Sequence, residues 1–298
     1  MATNMREQVE IKTHDQTTLR GWFYQAGSKA PVVVMSPGMP GIKEHFLDCF
    51  AERFQKAGIA TLLYDHRNWG ESDGLPRHHS NHQEQTQDTH DVIYYISTRS
   101  DIDPNTIALW GSSFSGGIAL IAGAVDPRVK AVITQVPFVS GNAARARLPD
   151  DFLAKIYTDR GETTFLKPTY IPAFPNSLEQ ARTQPYAAVM STEESWNHYQ
   201  DVTALGHNKE NKITLQSMFY AIRSEPAAFI SQISPKPLFM TIGLHDSLID
   251  SQLQKQVFSN AGEPKELLKL DCGYFDVYKG RRFEENISAQ IAFLKKYL

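Results

Sequence analysis

Two kinds of hydrophobic pattern mark the first part of the chain. Apolar and polar residues alternate over residues 9–15 and 18–25 with a turn between them, which predicts an antiparallel hairpin. Continuous apolar runs at 31–35 (PVVVM) and 60–64 (ATLLY) predict strands covered on both faces. A helix is expected between these two runs, because apolar residues recur there at helical spacing: Phe46, Phe50, Phe54 and Ala57.

The alternation of apolar runs and helical patterns continues further along the chain. Helical periodicity predicts a helix over residues 88–98, and apolar runs predict strands over 107–110 and 131–136 with a helix between them. This order is typical of βαβ units and a mostly parallel sheet. Right-handed crossovers would then place helices on both faces of that sheet.

The pattern changes after Pro137. Residues 140–233 contain several prolines, scattered aromatic residues and no convincing buried strand, so we expect a largely helical insertion. Because it follows the sixth strand, the insertion is expected over the carboxyl ends of the strands, where ligands of such sheets bind. A lid is therefore predicted at 140–233, over a core formed by 1–139 and 234–298. The alternative is a helical subdomain that only buries aromatic residues against the core.

The alternation resumes in the last part of the chain. Strands are predicted over residues 237–242 and 265–270, and helices over 251–261 and 283–297. The fold class predicted from the whole pattern is α/β, with a mostly parallel sheet and one helical insertion.

Composition excludes several classes of function. The 298 residues are 41% hydrophobic and 21% charged, and the formal net charge of −3 gives no electrostatic case for nucleic acid or a membrane surface. Cys49 and Cys272 lie far apart, so neither a disulfide framework nor a metal spacing follows from them. The polar start lacks the apolar core of a signal peptide. We expect a cytoplasmic protein without metal or cofactor, and a homodimer is left open.

A run of small residues at 107–117 (IALWGSSFSGG) carries the first chemical signal. A buried strand enters a Gly/Ser turn and a small-residue apolar helix leaves it, which resembles the G-x-S-x-G nucleophile elbow of the α/β-hydrolases. Ser113 would be the nucleophile, and the Phe114 N–H would donate to the oxyanion. Ser115 stands where the pattern has its last glycine. The alternative is a turn that merely permits close packing of strand and helix.

Two further segments fit that fold. The loop at 36–41 (SPGMPG) follows the third strand, so Gly38 or Met39 would supply the second oxyanion N–H. Asp246 follows a buried strand and is expected to be the triad acid. The alternatives are a Pro/Gly turn without a catalytic part and a solvated or helix-capping aspartate.

The base of the triad is replaced. Tyr274 stands where the fold places its histidine, and a phenol with a reference pKa near 10 is a poor base at neutral pH. Tyr274 could also be an aromatic that fills the space of an imidazole. Of the ten histidines, His66 is at the carboxyl end of the fourth strand, so it could face the pocket, and Trp69 is a further candidate for the pocket lining. The favoured role for His66 is a structural one, holding loop backbone.

The resemblance extends beyond the elbow. Six segments are similar to α/β-hydrolase-fold proteins of fungal natural-product pathways, the polyketide transferase-like group and relatives of the dienelactone hydrolases: MSPG at 35–38, GIKE at 41–44, YDHR at 64–67, GESDG at 70–74, WGSSFSG at 110–116 and GYFDVY at 273–278. The resemblance implies an enzyme acting on the ester, thioester or ketone carbonyl of a small hydrophobic, polyketide-like substrate. It implies Ser113 and Asp246 as site residues, whereas the histidine is absent.

Three functions remain open on the sequence. The first is hydrolysis or acyl transfer at Ser113, which needs an unexpected base. The second is a cyclisation, condensation, isomerisation or lyase step, in which the same donors stabilise an enolate and Tyr274 gives or takes a proton. The third is a non-catalytic ligand-binding protein. An enzyme is favoured because Ser113, its glycines and Asp246 are kept together.

Overall fold

An eight-stranded sheet forms the centre of the molecule. The structure is a computed structural model that describes residues 6–207 and 210–298. The sheet has the strand order β1-β2-β4-β3-β5-β6-β9-β10. Its strands are β1 (Arg6–Lys12), β2 (Thr18–Tyr24), β3 (Ala30–Ser36), β4 (Ala60–Tyr64), β5 (Ile102–Ser112), β6 (Val129–Gln135), β9 (Leu238–Gly243) and β10 (Lys265–Leu270).

The direction of the strands agrees with the pattern of the sequence. The hairpin β1–β2 is antiparallel, β2 also pairs antiparallel with β4, and all later neighbours are parallel. Every residue of β4 and β9 is buried, as expected for strands covered on both faces. The predicted mostly parallel α/β sheet is therefore confirmed.

Helices cover both faces of this sheet. One apolar cluster joins the strands to α2 (His82–Ser97), α3 (Phe114–Val125) and α9 (Ser251–Ser259). The opposite cluster joins them to α1 (Leu47–Lys56) and α10 (Gly280–Tyr297). In α1, Phe50 and Phe54 lie one turn apart and are both fully buried, which accounts for the helical spacing of the aromatic residues.

The segment between β6 and β9 is mainly helical. It contains α4 (Gly141–Arg145), α5 (Asp150–Glu162), α6 (Leu178–Thr183), α7 (Glu193–Ala204) and α8 (Leu215–Ala221), followed by a 3₁₀ helix over Pro226–Gln232. It also contains a small antiparallel sheet of β7 (Tyr170–Ile171) and β8 (Ile213–Thr214), which the sequence pattern did not predict. Two-residue strands are too short to show a period-2 pattern, so alternation could not reveal them.

Local chemistry explains where other boundaries differ. Helix α2 begins at His82, six residues before the predicted start, because the Asn81 side chain caps it by accepting from the Gln83 N–H at 3.0 Å. The polar residues in its first two turns hide this beginning from a search for apolar periodicity. Within the described part of the chain, no helix combines the length and apolar composition needed to cross a membrane.

Candidate active site

Ser113 lies in a strained turn between β5 and α3. Its φ of 56° and ψ of −123° fall in a region that non-glycine residues rarely adopt, which is typical of functional sites. A Cβ on Gly111 would lie 2.0 Å from the Ser115 carbonyl oxygen, and one on Gly116 would lie 2.8 Å from Pro137 Cβ. The glycines are thus required by the close approach of strand, turn and helix. This is the geometry predicted for a nucleophile elbow.

The loop after β3 packs directly on Ser113. A Cβ built on Gly38 would lie 2.6 Å from Ser113 Cβ, so this position tolerates only glycine. Met39 and Phe114 line the same cavity as Ser113. Among the described residues, neither of their N–H groups has a protein acceptor. Both N–H groups are thus available to a ligand, as the predicted oxyanion site requires.

The hydrogen bonds of the Ser115 hydroxyl account for a serine where the usual motif has glycine. This hydroxyl donates to the Pro37 carbonyl and therefore accepts from His66 Nε2 at 2.7 Å. His66 Nδ1 is buried without a partner in the described chain, and burial, assisted by Arg67, lowers the pKa of His66 to about 3. His66 is thus a neutral imidazole that holds the loop carrying Gly38 against α3.

Neither His66 nor Trp69 lines the cavity beside Ser113. Both lie behind the loop at 37–41, against a void with no room for a water molecule. Trp69 Nε1 donates to the His79 carbonyl at 2.9 Å and to Ser80 Oγ at 3.0 Å. Neither residue is therefore placed to line this cavity, which the sequence had left open, and the bond from His66 to Ser115 fits the favoured role of holding loop backbone.

Asp246 follows β9, as predicted, and only one of its two carboxylate oxygens accepts hydrogen bonds from the described residues. Oδ1 accepts from the N–H groups of Leu248 and Ile249, both at 2.8 Å, whereas Oδ2 is buried and finds no partner in the described residues. Burial raises the pKa of Asp246 to about 7 against the effect of those two N–H groups. Asp246 can therefore exchange a proton near neutral pH.

Tyr274 lies beside Ser113, at the place of the missing histidine. Its side chain is buried and lines the same cavity as Ser113. Burial raises the pKa of Tyr274 well above its ordinary value, Tyr278 raises it further, and the Ser113 hydroxyl offsets part of the rise. The phenol keeps its proton at neutral pH and can donate a hydrogen bond, but it cannot take the proton of Ser113.

A cavity of about 250 Å³ opens above Ser113. Core residues form its floor and residues of the insertion form its roof, most of them apolar. The roof includes Leu148, Phe152, Val189, Met190, Met218 and Ile222. An open groove of about 680 Å³ shares part of its wall, including Phe138 and Leu248, and contains Asp246. The site thus fits a small hydrophobic ligand with one polar group at Ser113.

Sequence reasoning missed two histidines beside Ser113. A hollow of about 40 Å³ is lined by Ser113, Tyr274, His45 and His198. His45 Nε2 is buried without a partner in the described chain, and burial together with His207 lowers the pKa of His45 to about 4. His198 is buried and stacks on Phe275 with ring centroids 3.9 Å apart. His45 lies a few residues after the loop at 36–41, which is the one signal the sequence offered.

One group of carboxylates in the described chain has the spacing of a metal site. Glu44, Asp65 and Glu71 offer oxygens within 4.8 Å of one another. The Lys43 ammonium lies 2.8, 2.8 and 2.7 Å from these three carboxylates, respectively. A buried cation of the chain itself already occupies the space between these carboxylates, so they do not fit a metal ion.

Comparison with known proteins extends these observations. Polyketide transferase ATR5 of Stachybotrys chlorohalonatus is 32% identical over 100% of this chain and 99% of its own length. A thiohydrolase of Eupenicillium brefeldianum is 31% identical, covering 97% of this chain and 94% of its own. The crystal structure of the α/β hydrolase GrgF from Penicillium sp. sh18 superposes with a TM-score of 0.84 at 30% identity, over 98% of this chain and 99% of that one.

These relatives, named as a polyketide transferase, a thiohydrolase and an α/β hydrolase, support an enzyme. A family model described as Hydrolase_4, serine aminopeptidase S33, matches residues 27–275. The elbow, the mostly parallel sheet and these matches agree, and the chain belongs to the Hydrolase_4 family of α/β-hydrolases.

Proposed function

We propose that this protein is an enzyme that activates the carbonyl group of a small hydrophobic, polyketide-like substrate by hydrogen-bond donation. The substrate lies in the cavity of about 250 Å³, with its carbonyl oxygen between the N–H groups of Met39 and Phe114. The insertion acts as the lid. The reaction is a non-hydrolytic step, namely a cyclisation, condensation, isomerisation or lyase reaction through an enolate.

The buried phenol of Tyr274, which lines the same cavity as Ser113, is the observation that carries this proposal. A phenol in an apolar site is a strong donor to an oxygen that gains negative charge, and such donors act without reorganisation. The phenol is a poor base. Position 274 therefore supplies no general base that could deprotonate Ser113, as the ordinary serine-hydrolase mechanism requires. A hydrogen bond from Tyr274 to an enolate oxygen needs only the protonated phenol.

Asp246 is the group that would accept the proton removed from the substrate. Enolate formation needs a group that accepts a proton from the carbon next to the carbonyl, and a pKa near the working pH suits that role. Burial raises the pKa of Asp246 to about 7, and its Oδ2 atom lacks a partner in the described chain. We assign proton acceptance to this carboxylate through a water molecule, because Asp246 lines the adjoining groove and not the cavity of about 250 Å³ itself.

Hydrolysis or acyl transfer at Ser113 is the second candidate, and His45 is the observation that favours it. His45 Nδ1 accepts from the Ile42 N–H at 3.5 Å, so Nε2 can receive the hydroxyl proton, through one water molecule, only in the tautomer that carries its proton on Nδ1 and gives up that contact. The ester or thioester carbon would then bond to Ser113 Oγ, with release of the alcohol or thiol.

Deuterium incorporation tests the proposal. An aliphatic acyl thioester of N-acetylcysteamine is incubated with the protein in D₂O, and exchange at the carbon next to the carbonyl is followed by NMR. We expect protein-dependent exchange that falls at least ~10-fold in Tyr274→Phe, since loss of one oxyanion donor costs about 10²–10³ in rate. Tyr94→Phe is the matched control, because Tyr94 is 64% exposed and far from the cavity lining.

Each other outcome contradicts the proposal in a different way. Thiol release without exchange, together with rapid labelling of Ser113 by a fluorophosphonate, supports acyl transfer instead. In that case His45→Gln should slow labelling and His245→Gln should not, because His245 is exposed and bonded to Asp271. Binding of the thioester with neither exchange nor release would indicate a ligand-binding protein.

A further inference from the structure

Glu194, a residue of the insertion, contacts both the loop that carries Asp246 and the loop that carries Tyr274. It lies in the first turn of α7, and its two carboxylate oxygens serve different partners. Oε1 accepts from the Ser247 N–H at 3.0 Å and from the Ser247 hydroxyl. Oε2 accepts from the N–H groups of Tyr274 at 2.9 Å and Phe275 at 3.4 Å. One side chain thus binds the residue after Asp246 and the backbone of Tyr274 itself.

The local sequence is adapted to this carboxylate. A Cβ on Gly273 would lie 2.6 Å from Glu194 Oε2, so a side chain at that position would displace it. Charge-assisted hydrogen bonds from backbone N–H groups to a carboxylate are about twice as strong as neutral ones. The contact is therefore specific to an acidic side chain at 194 and to glycine at 273.

The role of this bridge follows from what the site lacks. In a Ser-His-Asp triad, a hydrogen bond from the imidazole to the carboxylate joins the acid loop to the base loop. Here Asp246 Oδ2 has no partner in the described chain, so that bond is not made. The Leu244 and His245 N–H groups donate to the Leu270 and Cys272 carbonyls at 2.8 and 2.9 Å, and His245 Nε2 pairs with Asp271 at 2.7 Å. Glu194 adds a side chain of the insertion that contacts Ser247, beside Asp246, and the backbone of Tyr274 itself.

We propose that Glu194 is a positioning residue: it holds the Asp246 and Tyr274 loops together and places a negative charge beside both side chains. This inference rests on the proposed function in that it takes Asp246 and Tyr274 as the working groups of the site. It does not depend on whether the reaction is an enolate step or acyl transfer.

The charges around the two groups agree with this role. Glu194 raises the pKa of Asp246, after the larger effect of burial, and Arg147, which follows α4, lowers it. The pKa of Tyr274 is raised by burial, by Tyr278, by Asp246 and by Glu194. Removing the charge at position 194 should therefore lower the pKa of both groups, as the electrostatic effect of a nearby anion requires.

The test compares Glu194→Gln with Glu193→Gln. The neighbouring Glu193 is on the same helix, is exposed and pairs with Arg182, so the control removes the same charge outside the site. Two quantities are measured without substrate: amide hydrogen exchange of Ser247, Tyr274 and Phe275, and the pH midpoint of the Asp246 carboxyl group by ¹³C NMR. A glutamine offers one acceptor oxygen, so it can serve only one of the two loops.

In Glu194→Gln we expect exchange at least ~10-fold faster at one loop or both, the change produced by loss of about 1.4 kcal/mol of protection, and an Asp246 midpoint that moves to lower pH. In Glu193→Gln we expect neither change. An unchanged midpoint in Glu194→Gln overturns the electrostatic role, and unchanged exchange overturns the bridge.

A shorter carboxylate keeps the test informative if Glu194→Gln does not fold. Glu194→Asp retains the charge but shortens the reach, so exchange should increase while the Asp246 midpoint stays close to that of the natural protein. A protein that shows no deuterium incorporation on thioesters can still meet these expectations, because neither measurement depends on turnover. Failure of the proposed function and failure of this inference are thus separable.

Discussion

The Tyr274 phenol and the Asp246 carboxylate belong to the same site, yet no hydrogen bond joins them. The hydroxyl of a tyrosine is at the far end of the ring and lies beside Ser113, whereas Asp246 Oδ2 is left without a partner in the described chain. An imidazole has a nitrogen on each side of its ring and can contact both groups at once. With tyrosine in place of histidine at position 274, Ser113 and Asp246 are therefore no longer connected through one side chain.

Replacing Tyr274 by histidine should restore that connection. We expect Tyr274→His to increase hydrolysis of simple aryl esters and labelling of Ser113 by a fluorophosphonate, each by at least ~10-fold, because the new imidazole can donate to Asp246 Oδ2 and accept from Ser113. Rates of p-nitrophenol release and of labelling measure the effect. Tyr274→Phe is the control, since it also removes the phenol but adds no base. Equal rates in the two variants would mean that access under the lid, rather than the base, limits the reaction.

Gly38 should be intolerant of a single methyl group. A Cβ there would lie 2.6 Å from Ser113 Cβ and 2.8 Å from the Ser112 carbonyl oxygen, so the oxyanion loop must move away from the serine. We expect Gly38→Ala to reduce turnover at least ~10-fold, since a displaced donor loses most of its effect. Gly161→Ala is the matched control: nothing lies within 4 Å of its Cβ, and it belongs to α5. The control should gain on the order of 0.5 kcal/mol in stability and keep its activity. Similar losses in both variants would exclude this account of Gly38.

Asp246 should make the stability of the protein depend on pH. Its pKa is about 7 in the folded state and 3.8 in its ordinary state, so between these values the native protein binds a proton that the unfolded chain has released. The free energy of unfolding therefore falls as pH rises from about 4 to about 7, by on the order of 1 kcal/mol or more from this group. Asp246→Asn should show a flatter dependence in urea unfolding measured from pH 4.5 to 7.5.

The comparison of the two proteins isolates Asp246 from other carboxyl groups. Burial also raises the pKa of Asp65 and Asp88 to about 6, but both are present in the natural protein and in Asp246→Asn, so their contribution cancels. Parallel stability curves for the two proteins would show that Asp246 is ionised in the folded state throughout this range.

The sequence predicted most of the sheet because buried parallel strands have a simple signature. The run ATLLY at 60–64 coincides with β4, and the strand predicted at 265–270 coincides with β10. Short elements of the insertion escaped, since two-residue strands and polar first turns of helices carry no period. A hydrophobic pattern reports which face of a long element is buried, and little else.

The site was predictable where spacing along the chain fixes chemistry, and not elsewhere. Ser113 and Gly38 follow from turns whose residues are close in sequence. His198 and Glu194 come from the insertion, and no spacing relates them to an elbow about eighty residues earlier. Their approach to Ser113, Asp246 and Tyr274 depends on how the insertion packs on the core. Only tertiary structure carries that information.

The Ser115 hydroxyl has a consequence for how this protein can change in evolution. It is shared by the imidazole of His66 and the carbonyl of Pro37. A glycine at position 115, the residue more usual in this motif, would leave two enclosed polar groups without a neighbour, which costs about 1–3 kcal/mol for each. Serine and histidine at these two positions should therefore be inherited or lost together, so sequences that carry one without the other should be rare among close relatives.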